Sequence, residues 1–484
     1  MISRRPRNLA LLASLSIALT ACTAAGPIKS VSSAKKSATE ASAADTRTES
    51  PYPSTYKAAP SVPTLIRGAT VLIGNGERLD DADVLLRDGV VAAVGKQLDA
   101  PSDARVVDGR GKWVTPGIID VHSHLGVYPS PGVEAHSDGN EATAPSTAQV
   151  WSEHSIWPQD PGFEAALEGG VTTLHVLPGS ANLFGGRSVT VKNVPAVTYQ
   201  SMKFPDAPHG LKMACGENPK RVYGNRRQLP STRMGNVAGW RAQWIEAQEY
   251  ARDWKQFEAR KAAGAKDLRP PKRDLRLETL AGVLRGEILI QHHCYRADEM
   301  AIVVDMAREF GYRVSAFHHA TEAYKISNLL AENNICAAVW ADWWGFKMES
   351  YDAIPENMIL VDAAPGGCTV VHSDSAEGIQ RLNQEAAKGM AYARRMGLEI
   401  KPEHAIIWLT KNAAKAIGLE SRIGTLEKGK MGDLVVWNGN PFSVYALTEQ
   451  IYIDGALRFD RAASRALPES DFLLGQPAYE GVIR

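Results

Sequence analysis

Residues 114–422 are predicted to fold as an α/β (β/α)8 TIM barrel, flanked by segments that together build a small composite β-sandwich. Three observations carry this prediction. Strand-like apolar runs alternate with helical stretches through the middle of the chain. Short β-type runs occur before residue 114 and again after 423, neither set large enough to close on itself. His, Glu and Asp stand where the central apolar runs stop, and barrels of this kind carry their chemistry at the C-terminal ends of strands.

The chain opens with Arg4, Arg5 and Arg7, followed by an apolar run over 9–19 that is too short for a stable membrane span. This is read as a signal peptide over 1–21, and its ending, L-T-A-C, resembles a bacterial lipobox that would make Cys22 the lipidated first residue. Export and a lipid anchor in the cell envelope, facing the periplasm, are the expectation. Residues 22–63 are rich in Ala, Ser, Thr, Pro and Lys and are read as a flexible tether. Lys plus Arg and Asp plus Glu both total 54, so charge gives no reason to expect nucleic acid as a partner. A small-molecule substrate is expected instead. After Cys22 the remaining cysteines, Cys215, Cys294, Cys336 and Cys368, are widely spaced; export would allow a disulfide among them, nothing in the spacing requires one, and buried free thiols are the default reading.

The first β segment, 64–113, contains a run over 65–72, a hairpin over 82–95 with an Asp88-Gly89 turn, and a further strand over 105–108. Its partner strands are expected in 423–484, over 424–437 and 451–457. Between them, strands are read at 118–121, 171–177, 289–293, 313–318, 335–340 and 368–372, with helices over 296–310 and 322–332. No G-x-G-x-x-G follows a strand, which disfavours a doubly wound sheet. The Trp-, Glu- and Arg-rich stretch 236–275 reads as a long helix ending before Pro270-Pro271, inserted near the barrel rim.

The strand at 118–121 ends in His122 and His124. Side chains two apart on a strand point the same way, so both imidazoles can face one metal ion. Four more places offer ligand types at strand ends. Glu217, in LKMACGEN, offers a carboxylate that can bridge two metals. Lys212 begins that strand and should therefore lie too low in the barrel. His292 and His293 are neighbours, as are His318 and His319, so alternation lets only one of each pair look inward. Asp374 follows the apolar run 368–372, with His372 on its face.

This order of motifs resembles the metal-dependent amidohydrolase superfamily, in particular an imidazolonepropionase-like bacterial subgroup, over about residues 64–460. The resemblance implies the barrel with its composite β domain. It selects His293, because relatives show H-x-H-R-A-D there, and His319, because relatives show H-G-T-E-A-Y. Tyr295 stands where those relatives have the second histidine of the first motif. It also implies that Asp374 binds metal and takes the proton from the attacking water, and that some members replace the bridging carboxylate with a carboxylated lysine, here Lys212. The expected ligand set is thus His122, His124, Glu217, His293, His319 and Asp374, holding two Zn²⁺, or Mn²⁺ or Fe²⁺. His136, Tyr223, Tyr295, Arg296 and His372 are candidate substrate contacts.

The implied reaction is hydrolysis of a C–N bond in an amide, cyclic amide, acyl-amino acid or dipeptide-like substrate. The competing readings are a mononuclear deaminase or lactonase on the same barrel, and a ligand-binding lipoprotein without catalysis. Metal content per chain separates the first from the main reading, and a substrate panel separates the second. If Cys22 carries the lipid anchor, Cys22→Ser should move the protein from the membrane to the soluble fraction of a bacterial host. Unchanged membrane recovery would refute the assignment.

Overall fold

The computed structural model describes residues 51–464; Cys22 and the signal segment lie outside the described residues. Strands β1 (Thr64–Leu72), β2 (Arg78–Arg87), β3 (Val90–Gly95), β4 (Arg105–Asp108) and β5 (Trp113–Pro116) come first. The barrel strands follow: β6 (Ile118–Ser123), β7 (Val171–Val176), β8 (Phe184–Lys192), β9 (Gly210–Ala214), β10 (Leu289–Cys294), β11 (Val314–His319), β12 (Cys336–Val339) and β13 (Thr369–Val371). The chain returns through β14 (Leu434–Trp437), β15 (Thr448–Ile453) and β16 (Ala456–Asp460).

The two end segments share one sheet, in the order β16-β15-β14-β5-β1-β2-β3, with β4 also paired to β1. The seam between them is the antiparallel pair β14–β5, where Val435 faces Thr115 and Val436 faces Val114. The hairpin β2–β3 turns through Asp88 at φ 54° and Gly89 at φ 78°, the two positive φ values a tight hairpin of matching twist requires.

The eight barrel strands lie side by side in chain order. β8 alone runs antiparallel to both neighbours. Its connection from β7 spans only 177–183, too short for the crossover a parallel pair needs, so the chain turns back as a hairpin. Between β13 and β6 the barrel is joined through Asp120. Its buried carboxylate accepts from Ser373 Oγ at 2.5 Å and from the Ser373 amide at 3.2 Å. The Asp374 amide donates to the His122 carbonyl at 3.0 Å.

Outward-facing strand residues build the core with the helices. The helix Arg233–Ala262 begins under a Thr232 cap, whose hydroxyl accepts from the Gly235 amide at 3.0 Å. Its buried Trp240 and Trp244 lie against the barrel, Trp244 meeting Phe184 at 5.3 Å and Tyr312 at 4.4 Å between ring centroids. The helix ends at Ala262, earlier than the prolines suggest.

Two expectations are corrected here. Residues 51–63 are not tether. The Thr55 amide donates to the Gln200 carbonyl at 3.0 Å, and Ser54 Oγ to the Lys203 carbonyl at 2.5 Å. Tyr56 donates to Asp454 at 2.5 Å, where buried Lys192 also meets Asp454 at 2.8 Å and Asp433 at 3.0 Å. Burial, with the neighbouring carboxylates, pushes the Tyr56 phenol far above its ordinary value, so it stays a donor. A few aromatic and hydroxyl anchors suffice to dock a segment whose composition alone suggests none. The second correction concerns the thiols: Cys215 is bonded to Cys294, and Cys336 to Cys368. Sheet register explains both. Ala214 is paired with His293, and Ala337 with Thr369, so each cysteine meets its partner on the adjoining strand.

Tyr56→Phe removes a hydrogen bond to a carboxylate and should cost about 1.5–3 kcal/mol of stability. Denaturant unfolding of the two proteins checks this. Equal midpoints and slopes would mean that the strap contributes nothing to the fold.

Candidate metal centre

β6 alternates. Ile119 and Val121 join the apolar cluster of Ala413, Ala414 and Ile417, while Asp120 turns to Ser373 and His122 and His124 to Asp374. His122 Nε2 lies 3.5 Å from Asp374 Oδ1 and 3.1 Å from Lys212 Nζ. His124 Nε2 is 3.1 Å from the same Asp374 oxygen, and its Nδ1 is 2.9 Å from the Leu177 carbonyl. His319 Nε2 reaches to 4.0 Å of Asp374 Oδ2. The His293 and His319 rings lie 4.5 Å apart. His372 stacks on His122 at 5.0 Å. Among the described residues, two sets of three ligand atoms fall within 4.8 Å of one another: His122, His124 and Asp374, and His122, His319 and His372.

The structure distributes the candidates unevenly. His293 looks inward and His292 outward, against Trp240 and Phe317, as alternation and the resemblance together imply. The second pair departs from that expectation. His318 does not face away; its Nδ1 is 2.9 Å from His122 Nδ1, and its Nε2 is 2.7 Å from Gln291 Oε1. His319 also turns in, because its backbone leaves the strand at φ 70°, with Ala320 at 39°. Non-glycine residues avoid this left-handed region unless neighbours hold them there. The Ala320 amide, donating to the Cys294 carbonyl at 2.9 Å, is one such hold. Asp374 too has a positive φ, 50°.

Lys212 is not too low. β9 is only five residues long, and the long lysine stem brings the amine from its middle to His122. Glu217 instead opens the helix Glu217–Gly224, with its carboxylate 3.8 Å from Lys347 Nζ, and belongs to neither set of converging ligand atoms. Tyr295 is buried on the site, stacked on His319 at 5.1 Å and edge-on to His293. His136 packs on Trp157 and lines, with Tyr128 and Val133, a cavity of about 300 Å³. Tyr223 is a buried strut whose hydroxyl donates to the Ala144 carbonyl at 2.6 Å. Arg296 pairs with Asp298 at 2.8 Å as the helix Ala297–Phe310 begins. Sequence reasoning missed Trp340, stacked on His319 at 4.5 Å, although it closes an apolar strand run just as the histidines do. It also missed Lys347, for which the sequence carries no signal.

The donor set fits a divalent cation. Burial holds His122, His293, His318 and His319 well below their ordinary value, and His372 at about 3, so the rings are neutral and can ligate. Nδ1 of His293, Nδ1 of His319 and both nitrogens of His372 are buried without a hydrogen-bond partner. Nitrogen and oxygen donors without thiolate suit Zn²⁺, Mn²⁺ or Fe²⁺. Burial lowers the Lys212 amine to about 7, so a large share is unprotonated near neutrality.

A family model described as the amidohydrolase family matches residues 113–460. Among curated relatives, the amidohydrolase tasK of Hapsidospora irregularis is 34% identical over 435 residues, 82% of this chain and 43% of that one. This chain therefore spans less than half the length of that relative. An imidazolonepropionase of Deinococcus deserti is 23% identical over 387 residues, covering 77% of this chain and 89% of its own. A solved amidohydrolase structure from Thermotoga maritima MSB8 is 38% identical with a TM-score of 0.74, covering 82% of this chain and all of its own.

Metal content per chain should fall in His293→Ala, His319→Ala and Lys212→Met, and should hold in His292→Ala and Glu217→Gln. His318→Ala should lower it partially, by releasing His122. Loss of metal in Glu217→Gln with retention in Lys212→Met would reverse the assignment of these two residues.

Proposed function

The chain belongs to the amidohydrolase family, and on that premise we propose that it hydrolyses a C–N bond of an amide-like small molecule with a metal-activated water. The observation that carries this reading is the convergence of His122, His124, Lys212 and Asp374, with His293 and His319 beside them, at one end of the barrel. His122, His124, His293, His319 and Asp374 would hold the cations, most simply two Zn²⁺. Lys212 would join them as a carbamate, formed when its neutral amine adds carbon dioxide and releases a proton. Bound cations lower the pKa of a water and polarise the scissile carbonyl.

The protein's own groups do the rest. Burial would raise the Asp374 carboxyl, but His124, 3.1 Å away, outweighs it together with Lys212 and holds it below its ordinary value. Asp374 is therefore ionised and placed to take a proton from the attacking water and pass it to the leaving nitrogen. Tyr295, raised far above its ordinary value mainly by burial, remains a hydrogen-bond donor. Trp340 and Tyr295 cover His319 from two sides and limit water there.

Export through the signal peptide 1–21, with lipidation at Cys22, belongs to the same proposal. The two disulfides support it, because such bonds persist in oxidising compartments such as the periplasm.

Asp374→Asn should retain much of the metal yet lose about 10²–10⁴-fold in turnover, the usual worth of a general base. The measurement is steady-state hydrolysis by the metal-loaded protein across acyl-amino acids, dipeptides, cyclic amides and lactones. Turnover of lactones alone, or of nothing in the panel, would overturn the reading.

A further inference from the structure

Lys347 lies on the loop after β12, at the end of the barrel that holds the histidines. Its ammonium sits 4.3 Å from the centroid of the Tyr295 ring, and that ring stacks on His319. It donates to Asn218 Oδ1 at 3.2 Å, and Asn218 Nδ2 in turn approaches His293 Nε2 at 3.5 Å. Lys347 is thus one side chain away from two of the candidate ligands, on two separate strands. Only 14% of its side chain is exposed.

Glu349 and Glu217 both act on its charge, but among the described residues no carboxylate stands in close contact with it. The Glu217 carboxylate stands 3.8 Å away, beyond the 2.7–2.9 Å of a strong charge-assisted hydrogen bond. Lys192, a fully buried lysine, shows what saturation looks like in this fold, with contacts of 2.8 and 3.0 Å to two aspartates. Burial pushes the Lys347 ammonium below its ordinary value, a cost that an anion beside it would remove. The same loop places Trp343 and Phe346 next to Trp340, at 6.4 and 6.1 Å between centroids. Phe346 is 62% exposed and Trp343 38%, so an aromatic face stands open at the mouth of the site beside the cation.

We propose that Lys347 binds a free carboxylate of the substrate, and that Trp340, Trp343 and Phe346 receive an apolar substituent beside that carboxylate. The substrate class is then an acylated or peptidyl amino acid with an apolar side chain and a free α-carboxylate. This deepens the hydrolytic reading above and rests on it. The susceptible C–N bond would be the amide on the α-nitrogen, one carbon from the anchored carboxylate.

The test uses N-acetyl-L-phenylalanine and N-acetyl-L-phenylalaninamide, which differ only in the carboxylate. Their dissociation constants are measured by calorimetry on the metal-loaded full chain, on Lys347→Ala and on Lys347→Arg, with metal content and hydrolysis followed in the same samples. The acid should bind about ten- to a hundredfold more tightly than the amide, the usual worth of a charge-assisted hydrogen bond. That ratio should fall close to one in Lys347→Ala and be largely kept in Lys347→Arg, with metal content unchanged in both. An undiminished ratio in Lys347→Ala, no preference in the wild type, or no binding of either probe would overturn the proposal. Preferential binding that depends on Lys347 without hydrolysis of either compound would sustain the carboxylate site and count against the hydrolytic reading alone.

Discussion

A ring of strands needs its first and last members to meet, and here they meet around a buried carboxylate. Asp120 lies three residues into β6 and accepts hydrogen bonds from Ser373 and from the His122 amide. Burial raises this carboxyl, and the hydrogen bonds offset part of that cost. The bonds fix the height at which the end of β13 stands against β6. Asp374 follows Ser373 directly, so the same junction sets its carboxylate against His122 and His124. The convergence of ligand atoms is a consequence of barrel closure, and a slip of one residue at this seam would disperse it.

The contrast between two lysines shows how one chemistry serves structure and binding. Lys192 ties β8 to the returning C-terminal strands through Asp433 and Asp454, with Tyr56 closing the far side. Nothing is left for a ligand to satisfy. Lys212 sits among neutral imidazoles in an equally buried place, and its amine responds by giving up much of its charge. A buried lysine surrounded by acids is a rivet, whereas one surrounded by neutral donors is a reagent.

The period-two pattern of a strand makes His122 and His124 legible from sequence and opposes His292 to His293, while Asp374 is legible through the family resemblance. The pattern fails at His318 and His319, where a left-handed turn of the backbone breaks the alternation, and nothing in the residues themselves announces that turn. Strand height counted along the backbone places Lys212 too low, because a lysine carries its amine well beyond its own Cα. The disulfides are contacts across a sheet between cysteines 79 and 32 residues apart, so they depend on a register that composition cannot reveal. The strap at 51–63 carries no compositional sign of docking, because it is held by a handful of hydroxyl, amide and aromatic contacts and not by a run of apolar residues.

The reversal of β8 reaches as far as a single proton. Because β7 turns back immediately, the Leu177 carbonyl is held at the barrel mouth, 2.9 Å from His124 Nδ1. A carbonyl oxygen can only accept, so Nδ1 must carry a hydrogen, and Nε2, the nitrogen turned towards Asp374, is the one through which the ring would ligate. Loop length thereby selects which nitrogen of the ring faces the site. A family member that lengthened this hairpin to admit a crossover helix would have to find another acceptor for His124, or lose the orientation of its lone pair.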